Sequence, residues 1–256
     1  MDLPRTNNLT LYRGQPDIGC YVWSPFVTKL EARLRFGKIP YRTEAGSVTK
    51  APKGKVPYIS IDDEKKTLLS DSTLIIKSFI ESGKLEDLNR DLSGPQKLQD
   101  IALQALLEDK LYFYGIHEKW IQNYYAMRDN ILAPLPWLVR VVVGYMIYNK
   151  NVRNMMGQGT GKFSDEEIAA FRVEVWDALD AAIGKSCAQH LGEGPFWVWG
   201  GDSPTEVDAV VYGFIVSGLM CGPAAPITKG IIQGRSALVE YVRRIHEVYF
   251  PDYDLE

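Results

Sequence analysis

The most informative stretch of the sequence is residues 21–31, Tyr-Val-Trp-Ser-Pro-Phe-Val-Thr-Lys-Leu-Glu, where an apolar run meets an amphipathic pattern. Ser24 stands immediately before Pro25, and this pair is a frequent helix start. Ser can cap the first turn, and Pro lacks an N–H that would have no partner there. The free N–H groups of a helix N-terminus also favour an anion, including a thiolate. The residues alone therefore leave two interpretations open, a thiolate-stabilising site and a plain capped helix.

Alternating strand and helix patterns surround this stretch in the first third of the chain. A short strand is predicted at Leu9–Tyr12, a helix at Pro25–Phe36 and a second strand at 39–44. A hairpin is predicted within 57–70, followed by a helix that opens at Asp71. The order β-α-β and then β-β-α, a parallel crossover followed by an antiparallel hairpin, is the thioredoxin-like arrangement.

The dipeptide Val56–Pro57 leads directly into a strand pattern, which the centre of a sheet tolerates poorly. A cis bond before Pro57 would turn the backbone ahead of the strand. It would leave the N–H and C=O of Val56 free to pair with an extended peptide. A trans proline at the first residue of the strand is the alternative.

Asp71 and Ser72 form a third candidate site. Both residues are frequent at helix starts, and capping is the simpler interpretation. The functional alternative is a grip on an amino-acid head group. Ser72 and the helix end would then take the α-carboxylate, and Asp71 the α-ammonium.

The remainder of the chain is predicted to be helical, after a polar linker at 85–94. We therefore expect an α/β thioredoxin-like domain at 1–84 and an all-α domain at 95–256. The most apolar segment, 131–148, contains two early prolines and Arg140. These features predict a buried or interface helix rather than a membrane span or membrane docking. A capping box at 205–208 predicts the start of an apolar helix that matters for folding.

Composition excludes several classes of function. The 256 residues carry a net charge of −3, without the basic excess of a nucleic-acid-binding protein. The cysteines Cys20, Cys187 and Cys221 are scattered and odd in number, which indicates a reducing compartment and predicts a cytoplasmic protein. The three histidines are isolated, and no His/Cys pair has the spacing of zinc ligands, so we expect no metal site.

The N-terminal part resembles the N-terminal domain of the glutathione transferases in three motifs that occur in the family's order. These are Ser24-Pro25-Phe26, Lys55-Val56-Pro57 and Asp71-Ser72. The first motif is similar to that of the serine-type enzymes. The resemblance implies a two-domain glutathione-transferase-like architecture, with glutathione as co-substrate and no metal.

The same resemblance implies a role for each site residue. Ser24 would hydrogen-bond the glutathione sulfur and favour the thiolate, and Lys55 would meet a carboxylate of glutathione. Val56, held by Pro57, would pair with the tripeptide backbone. The γ-glutamyl end would bind Asp71 and Ser72.

Residues further along the chain resemble the failed-axon-connections and metaxin-like relatives of the transferases. They lie at 107–112 with Trp120, and at 157–162, 204–209 and 249–251. The resemblance implies a possible homodimer and two open functions. One is a detoxifying enzyme that transfers glutathione to a small hydrophobic electrophile. The other is a non-catalytic adaptor or stress-response interaction protein.

Two other residues compete with Ser24 for the catalytic role. Tyr12 ends the first strand, where tyrosine-type transferases place their phenol, and the Cys20 thiol could form a mixed disulfide with glutathione. A long segment at 13–23 separates the first strand from Ser24. This segment could cover the thiol site or displace it.

Overall fold

A four-stranded mixed sheet forms the first part of the protein. The computed structural model describes residues 9–15, 18–62 and 67–255. The strands are β1 Leu9–Tyr12, β2 Arg42–Glu44, β3 Tyr58–Ile61 and β4 Leu68–Ser70, in the spatial order β2-β1-β3-β4. β1 and β2 are parallel, and the other pairs are antiparallel. This is the predicted β-α-β, β-β-α order; residues 63–66 of the predicted hairpin turn lie outside the described residues.

Two helices cover one face of the sheet, α1 Pro25–Phe36 and α2 Ser72–Glu81. Alternation along β1 directs Leu9 and Leu11 to this face, because successive strand residues point to opposite sides. The buried cluster between sheet and helices joins Leu9, Leu11, Leu30, Leu34, Ile59, Ile75, Ile76, Phe79 and Leu85.

The described chain beyond α2 is helical, as predicted. The α-helices are α3 Gly94–Leu106, α4 Tyr112–Ile116, α5 Tyr124–Ile131, α6 Trp137–Gln158, α7 Asp165–Gln189, α8 Glu206–Met220, α9 Pro226–Gln233 and α10 Ser236–Tyr249. Two π-helical turns, Leu107–Leu111 and His117–Gln122, flank α4, and a short 3₁₀ turn spans Thr160–Lys162. The boundaries 1–84 and 95–256 remain a prediction.

The predicted capping box begins α8, the central helix of this part. The Asp208 carboxylate accepts hydrogen bonds from the backbone N–H of Thr205 at 2.7 Å, the backbone N–H of Val198 at 2.8 Å and the Tyr241 hydroxyl at 2.8 Å. Burial raises the pKa of Asp208 to about 6 in spite of these donors. One carboxylate thus joins the α8 start, the preceding loop and α10.

Helix α1 is buried on two sides, which its amphipathic pattern did not predict. Its apolar side faces the sheet, and its charged side packs on α8. Gly213 of α8 permits this contact, because a Cβ there would lie 2.5 Å from the carbonyl oxygen of Pro25. The buried Arg33 donates to both carboxylate oxygens of Glu206, each at 2.8 Å.

The sequence predicted a buried or interface helix at 131–148, and α6 is not buried within this chain, so the first of these alternatives is wrong. Of its residues, only Gly144 and Met155 are buried. Within the described ranges, no helix is long and apolar enough to cross a membrane. The physical reason is that α6 packs on the described chain through a narrow face, so many of its apolar side chains remain exposed.

Candidate functional site

The strand register brings the sequence-predicted residues to one end of the sheet. Tyr12, the last residue of β1, pairs with Tyr58, the first residue of β3, which pairs with Ser70, the last residue of β4. The chain adjoining this row contains Pro57 and Asp71. Helix α1 begins at the same end, because a parallel crossover returns the chain antiparallel to β1.

Ser24 occupies the N-cap position of α1 but does not cap the helix with its side chain. Its backbone is extended, with φ −96° and ψ 116°, and its hydroxyl makes no capping hydrogen bond. Its carbonyl oxygen accepts from the N–H groups of Val27 at 3.2 Å and Thr28 at 3.3 Å. The hydroxyl of the half-buried Ser24 is therefore not used to cap α1 and is free to bind a ligand.

The Val56–Pro57 bond is cis, which decides between the two alternatives drawn from the sequence. Neither backbone polar group of Val56 has a hydrogen-bond partner within the part of the chain that the structure describes. Gly14 lies directly against this residue: its φ is +87°, and a Cβ there would be 3.3 Å from Val56 Cγ2. This neighbour of the site was not identified from the sequence.

Asp71 caps α2 from a strained backbone conformation. Its φ of +83° is uncommon for a non-glycine residue, and such outliers concentrate at functional sites. Its carboxylate accepts from the N–H groups of Thr73 at 3.1 Å and Leu74 at 3.3 Å, and from Lys55 Nζ at 2.7 Å. Burial raises the pKa of Asp71, but the Lys55 and Leu74 hydrogen bonds outweigh burial and hold the pKa below its ordinary value.

The capping interpretation of Asp71 is thus confirmed, and the site gains an ion pair that the sequence did not predict. Lys55 and Asp71 neutralise one another in this ion pair, in which the Lys55 side chain is largely exposed. Ser72, the first residue of α2, is buried beside them.

A second lysine, missed from the sequence, lies beneath this pair. Lys29 is buried, and its ammonium donates to Thr73 Oγ1 at 2.8 Å and to Glu108 Oε1 at 2.6 Å. It links the second turn of α1 to the first turn of α2, and its charge also lowers the pKa of Asp71. Because Lys29 alternates with apolar residues in a helical pattern, nothing in the sequence distinguishes it from a solvent-facing lysine.

The two competing catalytic candidates have other contacts. The Tyr12 ring stacks on Tyr58 with 4.3 Å between centroids, and its hydroxyl lies 3.3 Å from Ser60 Oγ. Alternation places Tyr12 on the sheet face opposite α1. Cys20 is exposed and forms an isolated bridge with Asp254 near the end of the described chain.

The described residues of the 13–23 segment brace the two parts of the protein. The Tyr21 hydroxyl lies 2.5 Å from the Tyr212 hydroxyl and 2.8 Å from His246 Nδ1, inside the helical core. The Trp23 carbonyl accepts from Ser217 Oγ at 2.8 Å. The end of the segment thereby fixes the start of α1 to α8 and α10.

A small cavity of about 40 Å³ adjoins the start of α1. Pro25, Tyr112, Phe214 and Ser217 line it together with Lys119, whose Nζ lies 3.4 Å from Ser217 Oγ. The space would hold water rather than a substrate. Lys119 nevertheless brings a cation close to the first turn of α1, another position that a lone lysine in a helical pattern does not reveal.

Comparison with known proteins agrees with this geometry. A family model described as the glutathione S-transferase N-terminal domain matches residues 25–127. The chain is 28% identical to isoprene-epoxide–glutathione S-transferase from Rhodococcus sp. (strain AD45), over 94% of this chain and 99% of the relative. The chain is similar to the glutathione S-transferases in its N-terminal sequence, and one curated transferase matches it over nearly its whole length. This confirms the resemblance drawn from the sequence, while the role of its Ser-Pro-Phe motif remains a prediction.

The similarity in fold extends over both parts of the protein. A glutathione transferase from Phanerochaete chrysosporium superposes with a TM-score of 0.59 at 13% identity, covering 94% of this chain and 96% of that structure. The chain is also 23% identical to metaxin-2 from Mus musculus, over 88% of this chain and 81% of the relative. The two-domain fold is therefore confirmed, and the relatives include both a named transferase and metaxins.

Proposed function

We propose that this protein is a glutathione transferase that binds the tripeptide at the end of its sheet and activates the thiol with Ser24. The observation that supports this most is the uncommitted Ser24 hydroxyl at the start of α1, at the end of the sheet that also carries Val56 and Asp71. The named transferase among the relatives, matched along nearly its whole length, supports the same conclusion.

The free polar groups of the site match those of glutathione. The unpaired backbone of Val56 can accept and donate the two hydrogen bonds of an extended peptide. The γ-glutamyl end carries an ammonium and a carboxylate. The ammonium can replace Lys55 as the partner of Asp71, and the carboxylate can replace Asp71 as the partner of Lys55. The start of α2 at Ser72 adds a positive helix end for the carboxylate.

Ser24 would act on the sulfur. A free thiol of this type has a pKa of ~8.5, so little thiolate exists at neutral pH. A hydrogen bond from the Ser24 hydroxyl and the N-terminal partial charge of α1 both favour the charged form and lower that pKa. The thiol proton leaves to water, and the thiolate then attacks an electrophilic carbon.

We extend the proposal to small apolar epoxides as one class of electrophile, guided by the named Rhodococcus relative. A C–S bond forms while the C–O bond of the ring breaks, and the resulting alkoxide takes a proton from water. The half-buried Trp23 beside Ser24 packs on an apolar cluster that includes Trp120 and Met127, and this surface suits an uncharged substrate.

The alternative function is a non-catalytic adaptor of the same fold, which the metaxin relatives favour. Such a protein would keep the two-domain fold and the contacts that connect its two parts, but it would not carry out the thiol chemistry. A cytoplasmic location and a homodimer belong to either proposal, and light scattering of the purified chain measures the second.

Titration calorimetry with glutathione tests the binding step. We expect a heat of binding that Asp71→Asn weakens. A wild-type chain without any heat at millimolar glutathione would leave only the adaptor function.

Conjugation kinetics test the catalytic step. Ser24→Ala should lower the rate by about tenfold or more, the effect of losing one hydrogen bond to a charged group, with little change in glutathione affinity. Ser203→Ala, at an exposed loop serine, is the matched control and should leave the rate unchanged. Should Ser24→Ala keep the full rate, Tyr12→Phe and Cys20→Ala would identify which alternative carries the chemistry.

A further inference from the structure

Helix α6 presents its apolar side chains to solvent. Leu138 is 71% exposed, Val142 60%, Tyr145 64% and Met146 64%. We call these four residues the outer stripe. Their spacing of three, four and eight residues places them on one face of the helix. A surface helix of a globular protein normally directs such an apolar face to the core. Here the face is exposed instead, and the outer stripe has no partner in the described chain.

The outer stripe cannot turn inward, because the opposite face of α6 is fixed. Gly144 lies on that face, and a Cβ there would be 2.7 Å from Arg128 Cγ and 2.8 Å from the Tyr124 hydroxyl. Met155, about three turns further along the same face, is also buried. The close contact at Gly144 sets the rotation of the helix, and the exposure of the outer stripe follows from it.

The charged residues of α6 itself all have one sign, and the Asp129 carboxylate at the end of α5 pairs with Arg128 and with Arg140 of α6. Residues 130–163 contain no Asp or Glu, whereas the whole chain has a net charge of −3. Lys150 and Arg153 continue the same side of the helix and are exposed. Trp137, at the first turn, is two-thirds exposed as well. Whatever covers this surface must be apolar opposite the stripe and negative opposite the second half of α6.

A membrane surface with anionic lipid has this combination, and we propose that α6 docks there, lying in the plane of the interface. Helices of this kind bury an apolar face at the headgroup boundary and keep basic residues against anionic lipid. Trp and Tyr side chains are enriched at the same depth. The inference reverses the expectation drawn from the sequence and does not depend on glutathione chemistry.

A second copy of the chain fits the surface less well. It would present the same uncompensated cations and no acidic residue of α6 to meet them. The outer stripe spans eight helical rises, about 12 Å. A stable protein interface usually buries about 800 Å² on each partner, more than one short stripe offers.

Co-sedimentation of the full chain with vesicles tests the proposal. The probes are phosphatidylcholine vesicles with and without phosphatidylserine. We expect binding to the vesicles that contain phosphatidylserine, weakened by salt. Leu138→Glu with Met146→Glu should reduce the bound fraction by about tenfold or more. Lys150→Gln with Arg153→Gln should weaken binding and flatten its salt dependence.

The matched control is Leu98→Glu with Ile101→Glu on α3, two apolar residues that are 68% and 60% exposed. This variant should bind vesicles like the wild type, and circular dichroism should show that all variants are folded. Equal loss in the α3 variant, or no wild-type binding to vesicles with phosphatidylserine, overturns the proposal. A wild-type dimer that becomes monomeric only in the α6 stripe variant, without vesicle binding, would assign the surface to a second copy.

Discussion

At the scale of single residues, Asp71 is the most constrained part of the candidate site. It adopts a positive φ while its carboxylate serves two backbone N–H groups and Lys55. The cap alone does not require this conformation, because most N-cap residues are extended. We therefore attribute the positive φ to the direction in which the carboxylate has to point, which is toward the ammonium of the proposed ligand.

Asp71→Asn separates the two roles of this side chain. The amide oxygen can still accept from Thr73 and Leu74, so we expect a small change in melting temperature. The lost charge should weaken glutathione binding by about tenfold or more, since hydrogen bonds between charged groups are worth ~1.5–3 kcal/mol. Calorimetry of Asp71→Asn measures this, with Asp202→Asn in an exposed loop as the control. Equal affinities would remove Asp71 from the binding site.

At the scale of elements, the buried capping box of α8 should matter more than an exposed one. Asp208→Ala leaves the N–H groups of Thr205 and Val198 and the Tyr241 hydroxyl without their acceptor inside the core. We expect a loss of about 3 kcal/mol in urea unfolding, the sum of a lost cap and unsatisfied buried donors. Ser164→Ala removes the exposed cap of α7 and should cost only ~1 kcal/mol. Similar losses in both variants would contradict this account.

Helix α10 introduces a pH dependence through His246, whose Nδ1 faces the Tyr21 hydroxyl. Burial lowers the pKa of His246, with Arg35 acting in the same direction and Glu247, Asp252 and Asp254 opposing it. The unfolded state therefore binds a proton at a higher pH than the folded state. Stability should fall as the pH drops below ~6.5 and level off below the folded pKa.

Thermal melts between neutral and mildly acidic pH measure this contribution. His246→Gln has no proton to gain, so its melting temperature should fall less steeply over the same range than that of the wild type. A wild-type slope that the variant reproduces would show that other groups cause the acid sensitivity.

The elements themselves were largely predictable, whereas their surroundings were not. Apolar periodicity located β1, α1 and α2, and the capping residues Thr205 and Asp208 located the start of α8, because these signals are local. Periodicity finds an apolar face but does not reveal what the other face meets. The sequence therefore missed that Lys29 and Arg33 are buried against the helical part. Of its two alternatives for α6, a buried helix or an interface helix, the buried one is wrong.

At the scale of the whole molecule, the position of the candidate site depends on how α1 joins α8. The Arg33–Glu206 ion pair and the Tyr21 contacts connect the sheet to the helical part on both sides of the contact between α1 and α8. Buried ion pairs contribute little net stability but are costly to break, so they favour one arrangement of the two parts. The start of α1, with Ser24, is thereby held against the helical part.

Gly213 lies where α8 comes very close to the backbone of α1, so a substitution at Gly213 tests this packing directly. A Cβ at Gly213 would lie 2.5 Å from the Pro25 carbonyl oxygen and 2.9 Å from the Lys29 backbone nitrogen, and backbone atoms cannot move aside cheaply. Gly213→Ala should therefore lower the melting temperature and displace the first turn of α1, so that conjugation slows while Ser24 is intact.

Gly230→Ala is the matched control within α9, because the added Cβ would meet nothing within 4 Å beyond its chain neighbours and the backbone of its own helix. Alanine is the better helix former there, so this variant should gain about 0.4–1 kcal/mol and keep its activity. The comparison separates the close contact from the general effect of replacing a helical glycine. If the Gly213 variant also gained stability, α1 and α8 would have room to separate, and Ser24 would not be held in place by their packing.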